Sequence, residues 1–172
     1  SHEESSITTC SEEAFGDFIH RFMTLVQHDK SESRLEVREF SEMRNNLNFL
    51  SKDSNRRVRG QENTPFSILT VDYKGNLSTF SPELIGNIEQ RYEDFIFGNV
   101  LHDQLEDVLR KPNFQEVWGE IRKGIDMCKS QCQYFSVCGG GAPSNKYYEN
   151  GTFASTQTLH CRYKIQLLAE QV

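Results

Sequence analysis

Cys128-Lys129-Ser130-Gln131-Cys132-Gln133-Tyr134-Phe135-Ser136-Val137-Cys138-Gly139-Gly140-Gly141 is the stretch on which the reading of this chain turns. Three thiols stand within eleven residues, spaced C-x3-C-x5-C, and a fourth, Cys161, follows after a 22-residue gap. Thiolates are soft ligands that select iron–sulfur clusters, zinc or copper(I). A [4Fe–4S] cube has four irons, each taking one external thiolate. Three neighbouring cysteines on an irregular loop can reach three corners, and a distant one folded back can reach the last. The residues therefore predict one cluster held by Cys128, Cys132, Cys138 and Cys161. The glycine run permits left-handed backbone angles and close approach. Amides aimed at cluster sulfurs help set its potential. Tyr134, Phe135, Tyr147, Tyr148 and Phe153 are expected to screen the cube, and His160 is a candidate hydrogen-bond donor beside it.

Other readings of the same thiols stay open. Structural zinc usually sits between two short C-x2-4-C hooks, whereas here three thiols cluster and one stands apart. Five cysteines cannot all pair within the chain, and a reducing compartment disfavours disulfides. Buried inert cysteines are common, but three on a hydrophilic loop match that poorly. Cys10, far upstream, reads as an isolated thiol outside the set.

Apolar residues make up only 36% of the chain, but there are twelve phenylalanines. Each aromatic ring buries a large area, so a modest core is expected, with stability borrowed from a metal or a neighbouring domain. The formal charge is −6, and the only basic cluster is Arg56, Arg57 and Arg59. Nucleic-acid binders carry a basic stripe, so no nucleic-acid partner is expected. No apolar run approaches the roughly 20 residues that span a bilayer, and Ser1 to Cys10 is too polar for a secretory signal. The expectation is a cytoplasmic protein without a membrane partner.

Thr9 to His28 reads as an amphipathic helix on Phe15, Phe18, Ile19, Phe22, Leu25 and Val26, with Thr9 and Glu12 as a capping box. Leu35 and Val37 alternate with charges, so Arg34 to Phe40 predicts a short strand, and 42–50 a helix. Residues 51–64 are polar and apolar-poor and read as a linker. Phe66 to Tyr73, a Lys74-Gly75-Asn76 turn and Leu77 to Phe80 predict a hairpin ended by Pro82. Asp103 to Arg110 predicts a helix broken by Pro112. Asn113 is the expected cap of the next helix, whose stripe is Phe114, Val117, Trp118, Ile121 and Ile125. A last helix is expected from about Ser155 or Thr156. The fold class is α+β: a small hairpin, surrounding helices and a C-terminal cysteine-rich cluster-binding cap.

The spacing Cys128-x3-Cys132-x5-Cys138, with Gly139 to Pro143, Asn150 to Thr156 and Cys161, resembles the SPASM region of radical S-adenosylmethionine (SAM) enzymes. Within these it is similar to maturases that install cyclophane crosslinks in ribosomally made, glycine-rich peptides, as Thr79 to Gly86 also suggests. The resemblance is strongest over 66–170 and fainter over 11–40. It implies a division into 1–50 (the end of a radical SAM barrel), 51–64 (linker) and 65–172 (auxiliary-cluster domain). The family's pattern has seven cysteines and two auxiliary clusters. Here Phe80 and Ala142 occupy two of the missing ligand positions, and no cysteine stands at 60–66. All three losses fall on one cluster, leaving the four cysteines of the other. The C-x3-C-x2-C loop that binds the SAM-cleaving cluster is also absent, so this chain alone is not expected to cleave SAM.

The resemblance implies one [4Fe–4S] cluster here, SAM only in a barrel domain outside this chain, and a precursor peptide as substrate. The expected role is electron transfer and substrate placement. The alternative is a peptide-binding module with a structural four-cysteine zinc or iron–sulfur staple, capturing peptide along the hairpin edge at Leu77 to Phe80. No spaced nucleophile and base mark an independent enzyme, and no catalytic residue is assigned.

Overall fold

The computed structural model describes residues 10–28, 36–52 and 60–171. They form helices α1 (Glu12–His28), α2 (Arg38–Lys52), α3 (Leu105–Val108), α4 (Pro112–Gln131), α5 (Phe135–Cys138), α6 (Pro143–Asn150) and α7 (Leu167–Gln171), with a π-helical stretch at Cys161–Gln166. Strands β1 (Leu69–Val71), β2 (Asn76–Thr79) and β3 (Gly98–Asn99) make an antiparallel sheet in the order β1-β2-β3. The α+β class follows. The chain divides into two compact units, one of residues 1–58 with 159–172 and the other of 59–158.

In the first unit, Ser11 opens α1. Its hydroxyl accepts from the Ala14 amide at 3.1 Å and its carbonyl from the Phe15 amide at 3.0 Å. Thr9 lies outside the described residues, and Glu12 pairs with Arg162 at 2.8 Å. Residues 38–40, expected as strand, are the first turn of α2. The two-residue alternation there is too short to outweigh the helical stretch that follows. Residues 34 and 35 fall outside the described residues. Phe15 meets Tyr163 edge-on at 4.9 Å, and Phe22 meets Phe40 at 5.5 Å.

The second unit has an aromatic core of Phe80, Tyr92, Phe95, Phe97, Phe114 and Phe153, joined by Leu77, Leu84, Val108, Val117 and Ile121. Phe80 stacks between Phe114 at 5.8 Å and Trp118 at 5.7 Å. Three phenylalanines of this unit have left-handed backbone: Phe66 (φ 59), Phe80 (φ 74) and Phe95 (φ 59). Such strain costs about 1–3 kcal/mol per residue. Burying a phenylalanine contributes about 1.5–3 kcal/mol, and each aromatic pair about 0.5–1.5 more, so packing holds the strain.

Several expectations shift here. β1 covers only 69–71, because Phe66 turns left-handed and its amide donates to Thr79 Oγ1 at 2.9 Å. β3 has no counterpart among the expected elements, since two residues carry no period. It makes β2 the central strand, pairing with it at Asn76 and Leu77. Leu77, Ser78, Thr79 and Phe80 are all buried, which removes the expected peptide-capture edge. Pro112 starts α4 rather than ending a helix, the position where a missing N–H does no harm. Asn113 lies inside the first turn, donating to Ile96 O at 2.9 Å and Glu93 Oε2 at 3.2 Å. The last helical stretch begins at Leu159, later than expected.

The buried stripe of α4 runs Phe114, Val117, Ile121, Gly124 and Cys128. At Gly124 a Cβ would stand 2.2 Å from the Phe153 carbonyl oxygen, a backbone atom. Gly124→Ala is therefore expected to destabilise by about 1–3 kcal/mol, the usual range for overpacking. Gly119→Ala, on the same helix with nothing within 4 Å, should be neutral or stabilise by up to about 1 kcal/mol through helix propensity. Urea unfolding of the two variants checks both signs.

Candidate metal centre

The stripe that builds the core also delivers the first cysteine. Cys128 lies one turn beyond Gly124 on the same face and is buried. Cys132 closes α4, its amide donating to Cys128 O at 2.9 Å. Cys138 ends α5, and Gly139 follows at φ 68 with its amide on Phe135 O at 2.7 Å. Cys132, Cys138 and Cys161 are partly exposed, and none of the five cysteines is in a disulfide.

Two of the four sulfurs flank a single residue. The Gly140 amide donates to Cys138 Sγ at 3.4 Å, and Cys128 Sγ lies 3.9 Å from Gly140 O. Gly140 has φ 110, and a Cβ there would stand 3.2 Å from Ile125 Cγ1. The backbone angle favours glycine, and a side chain there would also push Ile125 aside by a few tenths of an ångström. Cys161 belongs to the other compact unit, at the start of the π-helical stretch, where its sulfur accepts from Gln166 Nε2 at 3.5 Å. Cys10 is in that unit too, its carbonyl accepting from the Tyr163 hydroxyl at 2.5 Å. Among the described residues, no three histidine, cysteine, aspartate or glutamate side chains form a group that could hold a metal ion. What fits a cluster is local: soft donors, a backbone amide already on a sulfur, and a loop without side chains.

Sequence reasoning missed two residues of this region. Asn63, in the stretch read as linker, is buried; its Nδ2 donates to Gly139 O at 3.0 Å and Gly141 O at 3.2 Å, clasping the glycine loop. Residues 61–64 form a turn, the Thr64 amide donating to Gln61 O at 3.2 Å, and 53–59 lie outside the described residues. Lys146, on α6, is buried, and its Nζ donates to Cys128 Sγ at 3.5 Å. Nothing in a polar helix marks it, although Pro143 at the start and Gly151 at the end could have marked the helix itself. Of the expected screening aromatics, Phe153 and Tyr147 belong to the core, stacked on each other at 5.0 Å.

The segments 60–66, 80–81 and 141–144 are hydrogen-bonded neighbours. Ser81 Oγ donates to Glu62 Oε2 at 2.7 Å and accepts from the Ser144 amide at 3.3 Å. On α6, the Tyr147 hydroxyl donates to Glu89 Oε2 at 2.5 Å. Burial first, then this bond, pushes the Tyr147 hydroxyl up to about 12. The same bond, with the Arg91 amide, holds the Glu89 carboxyl below its usual range.

A curated protein of Synechocystis sp. (strain ATCC 27184 / PCC 6803 / Kazusa), named uncharacterized protein sll1766, is 42% identical over 158 residues. The match covers 92% of this chain and 38% of that protein, so the chain spans little more than a third of the relative's length. No family profile and no solved structure matches the chain. No helix among the described residues is long and apolar enough to cross a membrane.

Glu89 contributes stability that is present above its unfolded pKa and lost as pH falls through the lower folded value. Urea midpoints should therefore decline from about pH 5 to pH 3, and Glu89→Gln should flatten that decline. Removing the Asn63 clasp is a separate matter. Asn63→Ala leaves two glycine carbonyls short of a partner and is expected to destabilise by about 1–3 kcal/mol, measured in the same urea series at pH 7.

Proposed function

We propose that this chain is an auxiliary iron–sulfur region of a radical SAM enzyme that modifies a ribosomally made peptide. Cys128, Cys132, Cys138 and Cys161 hold one [4Fe–4S] cluster and form the cluster-binding cap. The observation that carries the reading is the pair of sulfurs from Cys128 and Cys138 at Gly140, whose amide already donates to one of them. A cluster bound there exchanges single electrons.

The chain's own residues set the site up. The α4 stripe fixes Cys128 at the edge of the core, and Asn63 holds the glycine loop against it. The three segments where the resemblance expects the ligands of a second cluster are closed by the Glu62–Ser81–Ser144 and Asn63 hydrogen bonds. That supports a single cluster, with protein contacts standing where the other would be. The SAM-cleaving barrel and the precursor peptide are the proposed partners. The Synechocystis relative, with well over half its length outside the match, has room for such a barrel. The compartment is the cytoplasm.

Iron, sulfide and zinc are to be measured after anaerobic reconstitution. About four irons and four sulfides per chain are expected, the content of one cube. Cys128→Ala, Cys138→Ala and Cys161→Ala should each lose most of the iron, while Cys10→Ala keeps it. One zinc with little iron would make the site a structural staple and remove the electron-transfer role.

A further inference from the structure

Lys146 is only 4% exposed, and Cys128, its partner at 3.5 Å, only 7%. An ammonium taken out of water costs several kcal/mol unless an opposite charge lies close by. The thiolate-bound cluster proposed above would supply that opposite charge beside Cys128. Cys128 also lies near the end of a 20-residue helix, where the macrodipole disfavours an anion by up to about 1 kcal/mol. The Lys146 cation, held at the same sulfur, opposes that effect.

The fold makes room for the cation. A Cβ on Gly124 would stand 3.1 Å from Lys146 Nζ and 3.1 Å from Ser155 O, beside the Phe153 carbonyl. The space that a side chain at Gly124 would fill is thus bordered by the Lys146 ammonium and by the Phe153 and Ser155 carbonyls. The rest of α6 is anchored by Tyr147 on Glu89 and by Tyr148, whose hydroxyl donates to Glu83 O at 3.0 Å. These two bonds fix the helix that carries Lys146.

We infer that Lys146 is a positioning residue for the metal site, a built-in cation that offsets the negative charge of the thiolate-bound cluster and favours its reduced form. The inference rests on the cluster reading proposed above. One-electron reduction adds negative charge to the site, and a fixed positive charge in a dry environment stabilises that added charge. The cluster potential depends on net charge and on hydrogen bonds to sulfur, and Lys146 supplies both at Cys128.

The test compares the wild-type chain with Lys146→Met, Lys146→Gln and Lys146→Arg after anaerobic reconstitution, reading iron content, circular dichroism and the midpoint from a redox titration. In the neutral variants the reduced form should lose about tenfold in relative stability, a fall of about 59 mV for one electron, while the arginine variant stays near wild type. Iron lost from folded neutral variants but kept by arginine also supports the inference. So does loss of folding in both neutral variants with recovery in arginine. Unchanged midpoints in loaded neutral variants overturn the role of Lys146 and leave the cluster standing. Failure of all three variants to fold makes Lys146 a packing residue and overturns it as well. A wild-type chain that takes up no iron overturns both readings.

Discussion

The close approach of helix α4 to the Phe153–Ser155 backbone at Gly124 is the constraint on which the second unit depends. A side chain at that position would meet a carbonyl oxygen at 2.2 Å. With none there, the helix lies against the chain closely enough to bury Val117 and Ile121 on one side and Cys128 on the other. The aromatic core and the candidate metal site are thus consecutive parts of one helical face. A fault in the packing of α4 would be felt at the sulfur one turn away.

The site region joins two kinds of order. Its apolar side is set by ring packing and tolerates no freedom. Its polar side is set by a few directed hydrogen bonds: Asn63 on the glycine loop, Ser81 between Glu62 and Ser144, Lys146 on Cys128. Burial makes each of these bonds matter, because a buried polar group left without a partner costs far more than the bond contributes net. The glycines let the backbone come close, and the buried amide and ammonium fix where it stops.

How far this is legible in the sequence follows from range. The α4 stripe at 114, 117, 121 and 125 is a local period, and it leads to Cys128 at the right helix end. The turn at 74–76 is equally local, and the hairpin follows. β3 and the clasp from Asn63 depend on partners 21 to 78 residues away, and no period announces such pairings. Lys146 is a common surface residue type in a polar helix; only the tertiary fold turns it inward. The expected strand gives way to helix at 38–40 for the opposite reason, since a two-residue alternation is a weaker signal than the helical stretch it adjoins.

The left-handed phenylalanines have a consequence for how this unit opens. Phe66, Phe80 and Phe95 hold their backbone angles only while the rings around them are in place. Released from that packing, each would return to an ordinary conformation, and the adjoining strand or turn would change course with it. Small local openings between 66 and 97 therefore have no stable half-way form. Amide exchange across this stretch should follow one common opening, with the core and its connecting turns behaving as a single cooperative unit.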